Sequence, residues 1–197
     1  MSFPGCARIG TVIGTHVSVD IRTALPRREL APLLDAAFAW LRRADDTLGA
    51  TGRDSHVRGW ALERLSRALV GAGAGDHRID AGGDVRVRGS ACPGRRWRVG
   101  LRDPRTGQTL KVIFVNDLGI ATAAGVLGSV TVLGPDLGVA QAHATAMSVM
   151  GPAGARRRAS WLASTGPYQS LIIGRDGREW GTPGLAEWSR TQARLAG

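Results

Sequence analysis

Cysteine is scarce in this 197-residue chain. There are two, Cys6 and Cys92, far apart and without metal-ligand spacing. They read as free thiols in a reducing compartment rather than as a disulfide framework or a thiolate metal cluster. No window reaches the ~18 uninterrupted apolar residues that a membrane span needs. The opening MSFPGCARIG lacks an apolar h-region, so the expected location is cytoplasmic, with no membrane contact. Aromatics are only 5% of residues, too few for the repeated interleaving with basic clusters that a base-stacking surface requires. Lysine is all but missing: Lys111 stands alone among 26 Lys+Arg. The net charge of +10 suggests an acidic partner. However, near-exclusive arginine together with 28 glycines reflects a GC-rich coding bias. The arginines also disperse over Arg27-Arg28, Arg42-Arg43, Arg95 to Arg98 and Arg156 to Arg158, and Val112 to Ala155 has none. An arginine-rich nucleic-acid binder is therefore the minor reading, and nucleic acid is not the expected partner.

What is present is the pattern of one globular domain. At 43% hydrophobic residues the chain is too apolar for disorder and long enough to bury a core. Alternation from Ile9 to Ile21 predicts a strand. Leu30 to Leu48 predicts an amphipathic helix facing inward through Leu33, Leu34, Ala37, Phe38 and Leu41. A second helix is expected over Val57 to Val70, with Trp60, Ala61, Leu65, Ala68 and Leu69 as its apolar face. Short strands follow at His77 to Asp80, Asp84 to Arg88, Arg96 to Leu101, Leu110 to Val115, Ile120 to Ala123 and Ser129 to Leu133. Turn signals separate them. Asp136 is the expected N-cap of a helix over Leu137 to Met150, with Val139, Ala142, Ala146, Val149 and Met150 inward. Another helix spans Ala153 to Ala163, and Arg175-Asp176-Gly177 marks a hairpin. The tail after Gly184 reads as a short helix or a frayed end. The expected fold class is α+β, a mixed, largely antiparallel sheet flanked by helices.

Four segments then occur in a telling order. Ile13-Gly14-Thr15-His16-Val17 is followed by Val57-Arg58-Gly59-Trp60-Ala61-Leu62-Glu63, then by Ile79-Asp80-Ala81-Gly82-Gly83-Asp84-Val85, with Trp97-Arg98-Val99-Gly100-Leu101-Arg102-Asp103-Pro104 behind it. The last is the long run SVTVLGPDLGVAQAHATAMSVMG from Ser129 to Gly151. Together they resemble the FAD:protein FMN transferase family, also called ApbE-like, over nearly the whole chain. The resemblance implies an ApbE-like fold and a magnesium-dependent transferase. It would use FAD as substrate, join FMN to a Thr or Ser of a target flavoprotein, and release AMP. It places Ile13, Gly14, Thr15, Arg58, Gly82, Gly83 and Asp84 in the nucleotide site, and the Ser55 backbone carbonyl, Gln141 and Thr145 at the metal. Those residue types suit the task. A Gly-Gly pair lets backbone approach a ligand closely, and magnesium seeks hard oxygens while keeping waters and substrate phosphates.

The departures from the family pattern are equally specific. Gln141 replaces an Asp that would bring charge to the metal, Arg58 replaces a lysine, Ile13 a methionine and Gly52 an FAD-contacting Asp. Two segments are short: the stretch before Arg58, which in the family carries a flavin-stacking aromatic, and the join at Gly125-Val126-Leu127-Gly128, where the family has a His-bearing loop. Asp103 to Gly107 reads as a turn. The chain is thus expected to be a single ApbE-like domain over 1–197 with central and substrate-loop deletions. The alternative is a catalytically impaired relative that only binds a flavin nucleotide or a partner. No catalytic residue is assigned. His143, His16 and His77 read as structural or exposed. His56 lies beside the Arg58 helix start, close enough to approach a phosphate. Trp40 and Trp60 read as core anchors.

Overall fold

A computed structural model of the chain describes residues 5–12, 14–48, 55–103 and 107–190. It opens with a hairpin, not the single strand expected from Ile9 to Ile21. β1 (Cys6–Val12) pairs antiparallel with β2 (Thr15–Ile21), with Val12 opposite Thr15. The chain reverses at Gly14, whose φ of +66° favours glycine. A two-residue turn leaves the period-two alternation unbroken, so the pattern alone hides the reversal.

The remaining strands fall close to their expected places: β3 (His77–Ala81), β4 (Asp84–Arg88), β5 (Trp97–Arg102), β6 (Thr109–Val115), β7 (Leu118–Gly125), β8 (Gly128–Gly134), β9 (Gln169–Gly174) and β10 (Glu179–Gly181). Eight of them form one sheet in the order β1-β2-β3-β4-β7-β8-β9-β10, and β5 and β6 form a separate ribbon. Every pairing is antiparallel. The fold class is the α+β arrangement expected. Of the Asp103 to Gly107 turn, 104–106 lie outside the described residues, while the Gly107 N–H donates to the Asp103 carbonyl at 2.7 Å.

Two apolar cores lie on opposite faces of the sheet. One face packs against the helices α1 (Arg27–Leu48), α2 (Ser55–Gly71), α3 (Leu137–Ser148) and α4 (Pro152–Thr165). The other packs against the β5-β6 ribbon and the short α5 (Leu185–Arg190). Alternation along β9 shows the division: Ile172 faces the helices, Leu171 and Ile173 face the ribbon. Among the described residues no helix is long and apolar enough to cross a membrane.

The inner faces of two helices differ from expectation. On α2 the buried set is Ala61, Leu62, Leu65 and Leu69, with Glu63 and Ser66 beside them. Trp60 is 47% exposed rather than a core anchor, and Ala68 faces solvent. The half-buried Trp40 tilts against it with ring centroids 6.4 Å apart. On α3 the inward residues are Leu137, Ala140, Gln141, Ala144, Met147 and Ser148, while Val139 and Val149 point outward. In a helix rich in alanine the larger valines draw the eye to the wrong stripe. The true stripe carries a glutamine, which polarity would assign to the surface.

A buried charge cluster fixes α2 and α3 over β4. Glu63 Oε2 accepts the Leu137 N–H at 3.0 Å and lies 2.9 Å from Arg86 Nε, while Arg88 Nη2 donates to Oε1 at 3.2 Å. Arg86 is fully buried, and burial pushes its guanidinium below the ordinary range against the opposing pull of Glu63. Asp136 caps α3 as expected, its Oδ1 accepting the Val139 N–H at 3.0 Å.

Candidate functional site

The β3-β4 turn, the start of α2 and the middle of α3 meet at Asp84. Ala81 pairs with Asp84, which leaves Gly82 and Gly83 as a two-residue turn with φ of +58° and +98°. This is the hairpin geometry that two positive-φ residues permit. A Cβ at position 82 would stand 2.9 Å from Thr15 Oγ1 and 3.5 Å from Arg58 Nη1. Glycine here lets the Thr15 hydroxyl and the Arg58 guanidinium gather against the turn. Thr15 follows Gly14 directly, so the first hairpin delivers it; Ile13 lies outside the described residues.

Beneath the turn, Asp84 is completely buried. Its Oδ2 accepts Arg58 Nε at 2.8 Å and Gln141 Nε2 at 2.7 Å, and its Oδ1 accepts the Thr122 N–H at 3.2 Å. Burial pushes the carboxyl above its ordinary value, opposed by the Arg58 charge and the hydrogen bonds. The other end of the Gln141 amide, Oε1, accepts the Gly59 N–H at 2.6 Å. Gly59 is small for this reason: a Cβ there would lie 2.5 Å from Gln141 Oε1. Sequence reasoning missed the backbone contributions of Thr122 and Gly59, which leave no side-chain signature.

The other predicted positions sit nearby. Thr145 follows Gln141 by one helical turn, on the same side of α3, and its Oγ1 is buried without a hydrogen-bond partner among the described residues. Ser55 opens α2, with its side chain, like that of His56, outside the described residues. His143 is half-buried with Arg158 Nη2 at 3.4 Å, and His16 Nδ1 lies 3.1 Å from Thr11 Oγ1. His77 is buried at a distance from the corner, its Nδ1–H donating to the Ala74 carbonyl and its Nε2 facing Ser66 Oγ, both at 2.8 Å.

These residues do not compose a magnesium donor set. Both oxygens of Asp84 and the Gln141 carbonyl are already hydrogen-bonded, which leaves, among the described residues predicted for the metal, two neutral donors, the Thr145 hydroxyl and the Ser55 backbone carbonyl. No group of three or more His, Cys, Asp and Glu among the described residues is arranged to hold a metal ion.

Across the turn, on the ribbon side of the sheet, lies a groove of about 670 Å³ bordered by Gly82, Gly83, Thr122 and the β5-β6 ribbon. Among the described residues Arg78, Arg98 and Arg102 line it with one acid, Asp80, which pairs with Arg78 Nη2 at 2.7 Å. Its size is that of a nucleotide-scale pocket. Elsewhere many arginines are paired: Arg8 with Asp35, Arg22 with Asp20, Arg67 with Asp136. That pairing accounts for part of the basic composition.

Residues 34–126 match the ApbE family model. Over that stretch the chain is similar to the ApbE family. Solved structures carry the likeness beyond that segment. The ApbE protein from Thermotoga maritima superposes with a TM-score of 0.80 at 14% identity, covering 94% of this chain and 99% of that one. Flavin transferase ApbE from Vibrio cholerae gives 0.76 at 14% identity, over 93% and 99%. The apo form of Pseudomonas stutzeri flavinyl transferase ApbE gives 0.74 at 13% identity, over 96% and 99%. At such identities the likeness concerns the fold. No curated protein matches the chain.

At the join expected to be shortened, Gly125 pairs with Gly128 across a turn of Val126 and Leu127 alone. A Cβ at Gly128 would meet the Ile173 carbonyl oxygen at 2.2 Å, so β9 closes over the turn. The stretch before α2 falls on 49–54, outside the described residues.

Proposed function

We propose that this chain binds FAD with its phosphates at the Gly82-Gly83 turn and transfers FMN to a Thr or Ser hydroxyl of a flavoprotein. In that reaction the hydroxyl oxygen bonds to the FMN phosphorus, the bridging P–O bond of the pyrophosphate breaks, AMP leaves, and the hydroxyl proton passes to solvent. The observation that carries the reading is the convergence of Arg58, Thr15 and the Gly82-Gly83 turn beside an arginine-lined groove. A guanidinium with a free edge and a close-approaching glycine turn form a phosphate cradle. Arg58 spends Nε on Asp84, and among the described residues its Nη groups have no hydrogen-bond partner and are left for a ligand. The ApbE match supports the flavin class of ligand.

A second reading has an observation of its own. The closed Asp84-Gln141-Gly59 chain and the tight Val126-Leu127 turn suit a protein that holds a flavin nucleotide, or a partner, without transferring it. Incubation with FAD, magnesium and a candidate flavoprotein separates the two. AMP release with covalent flavin on the acceptor supports transfer. An FAD-induced thermal shift without AMP supports the flavin binder, and no shift and no AMP removes both flavin readings.

A further inference from the structure

At the Asp84 corner the charge of a buried carboxylate is answered by an arginine. Asp84 Oδ2 meets two N–H donors, Arg58 Nε at 2.8 Å and Gln141 Nε2 at 2.7 Å, and Oδ1 meets a third from Thr122 at 3.2 Å. The carboxylate's charge is thereby answered by Arg58, and three hydrogens take up three of its about four lone-pair sites. The Gln141 amide cannot be reversed to offer its oxygen. Reversal would set its NH₂ against the Gly59 N–H and its carbonyl against the Asp84 carboxylate, losing both bonds. A magnesium ion would have to strip this network and then sit beside a guanidinium of like charge. Among the described residues, the neutral Thr145 hydroxyl and Ser55 carbonyl bring no charge to compensate.

We propose that Arg58 replaces the divalent cation, so that this site receives the phosphates of its ligand without a metal, and that Gln141 is the residue that keeps the cation out. The ligand half of this statement rests on the FAD reading above; the metal half does not. Arg58 Nη1 and Thr15 Oγ1, both crowding the Gly82 turn, are the groups that meet the phosphate.

Two arms test it on the full chain. In the first, Mn²⁺ is titrated into the protein without nucleotide and the free ion followed by electron paramagnetic resonance. Wild type leaves Mn²⁺ free up to ~1 mM, whereas Gln141→Asp, which restores a charged oxygen donor, binds it about tenfold tighter or more. In the second, FAD affinity is compared in Mg²⁺ and in EDTA, and the two values agree within about twofold. Wild-type Mn²⁺ binding abolished by Asp84→Asn, or FAD affinity about tenfold weaker in EDTA, overturns the proposal. A folded Gln141→Asp chain that gains no Mn²⁺ overturns the role of Gln141. If that variant does not fold, the wild-type titrations decide. If FAD binds under neither condition, the FAD reading fails, while the Mn²⁺ titration still supports or overturns the metal half.

Discussion

The contact between Gly59 and Gln141 makes an unusual prediction about sign. Gly→Ala within a helix ordinarily stabilises by about 1 kcal/mol through backbone entropy. Position 59 lies inside α2, yet a Cβ there would stand 2.5 Å from Gln141 Oε1 and 3.0 Å from Gln141 Cβ. Relieving that overlap costs ~1–3 kcal/mol by the usual penalty of overpacking. Pushing the amide away also weakens the Gly59 N–H bond, worth about 1 kcal/mol. The steric and hydrogen-bond terms win, so Gly59→Ala destabilises by about 2 kcal/mol, roughly a 4–8 °C loss in Tm at this chain length. In a Gln141→Ala background the obstacle is gone, and the same change becomes neutral or stabilising by up to about 1 kcal/mol. Urea denaturation of the four proteins of this cycle checks both statements. A stabilising Gly59→Ala in the wild-type background, or an undiminished cost in the Gln141→Ala background, would refute the packing described between α2 and α3.

Other expectations follow from the buried polar groups. His77 is neutral and satisfied, and burial lowers its pKa from 6.5 to about 4. The unfolded chain therefore takes the proton first, so stability is full above pH ~6.5 and falls by about 3 kcal/mol as pH drops toward 4. Urea midpoints across that range should show this loss in wild type and a smaller one in His77→Gln; equal losses would contradict it. Glu63→Gln leaves the fully buried Arg86 without its counter-charge. It should cost about 3–5 kcal/mol by chemical denaturation, and a change under about 1 kcal/mol would contradict the role given to the cluster.

Much of this molecule was legible in the sequence because local signals and global fold agree. Glycine and proline punctuation brackets most of the strands, and Asp136 caps its helix as its place after Gly134-Pro135 suggests. The misreadings share one cause: periodicity registers apolarity but not where the partner lies. The β1-β2 hairpin hid in an unbroken alternation. The α3 stripe was displaced because Gln141 and Ser148 face inward while Val139 and Val149 face out. The site was half readable. Gly82, Gly83, Asp84 and Arg58 stood out by resemblance, and they do meet. What no single position announces is that Gln141 spends its donor on Asp84 and its acceptor on a backbone N–H 82 residues away in sequence. That exchange exists only in three dimensions, and it makes Gln141 a strut between β4 and α2.

The central claim is that a flavin nucleotide is held at the Arg58 corner. The most direct test is calorimetric titration of FAD into wild type and into Arg58→Gln, with folding of each checked by denaturation. Saturable binding to wild type that weakens about tenfold or more in Arg58→Gln is the result predicted. Absence of FAD binding to wild type, or equal affinity in the two proteins, would contradict it.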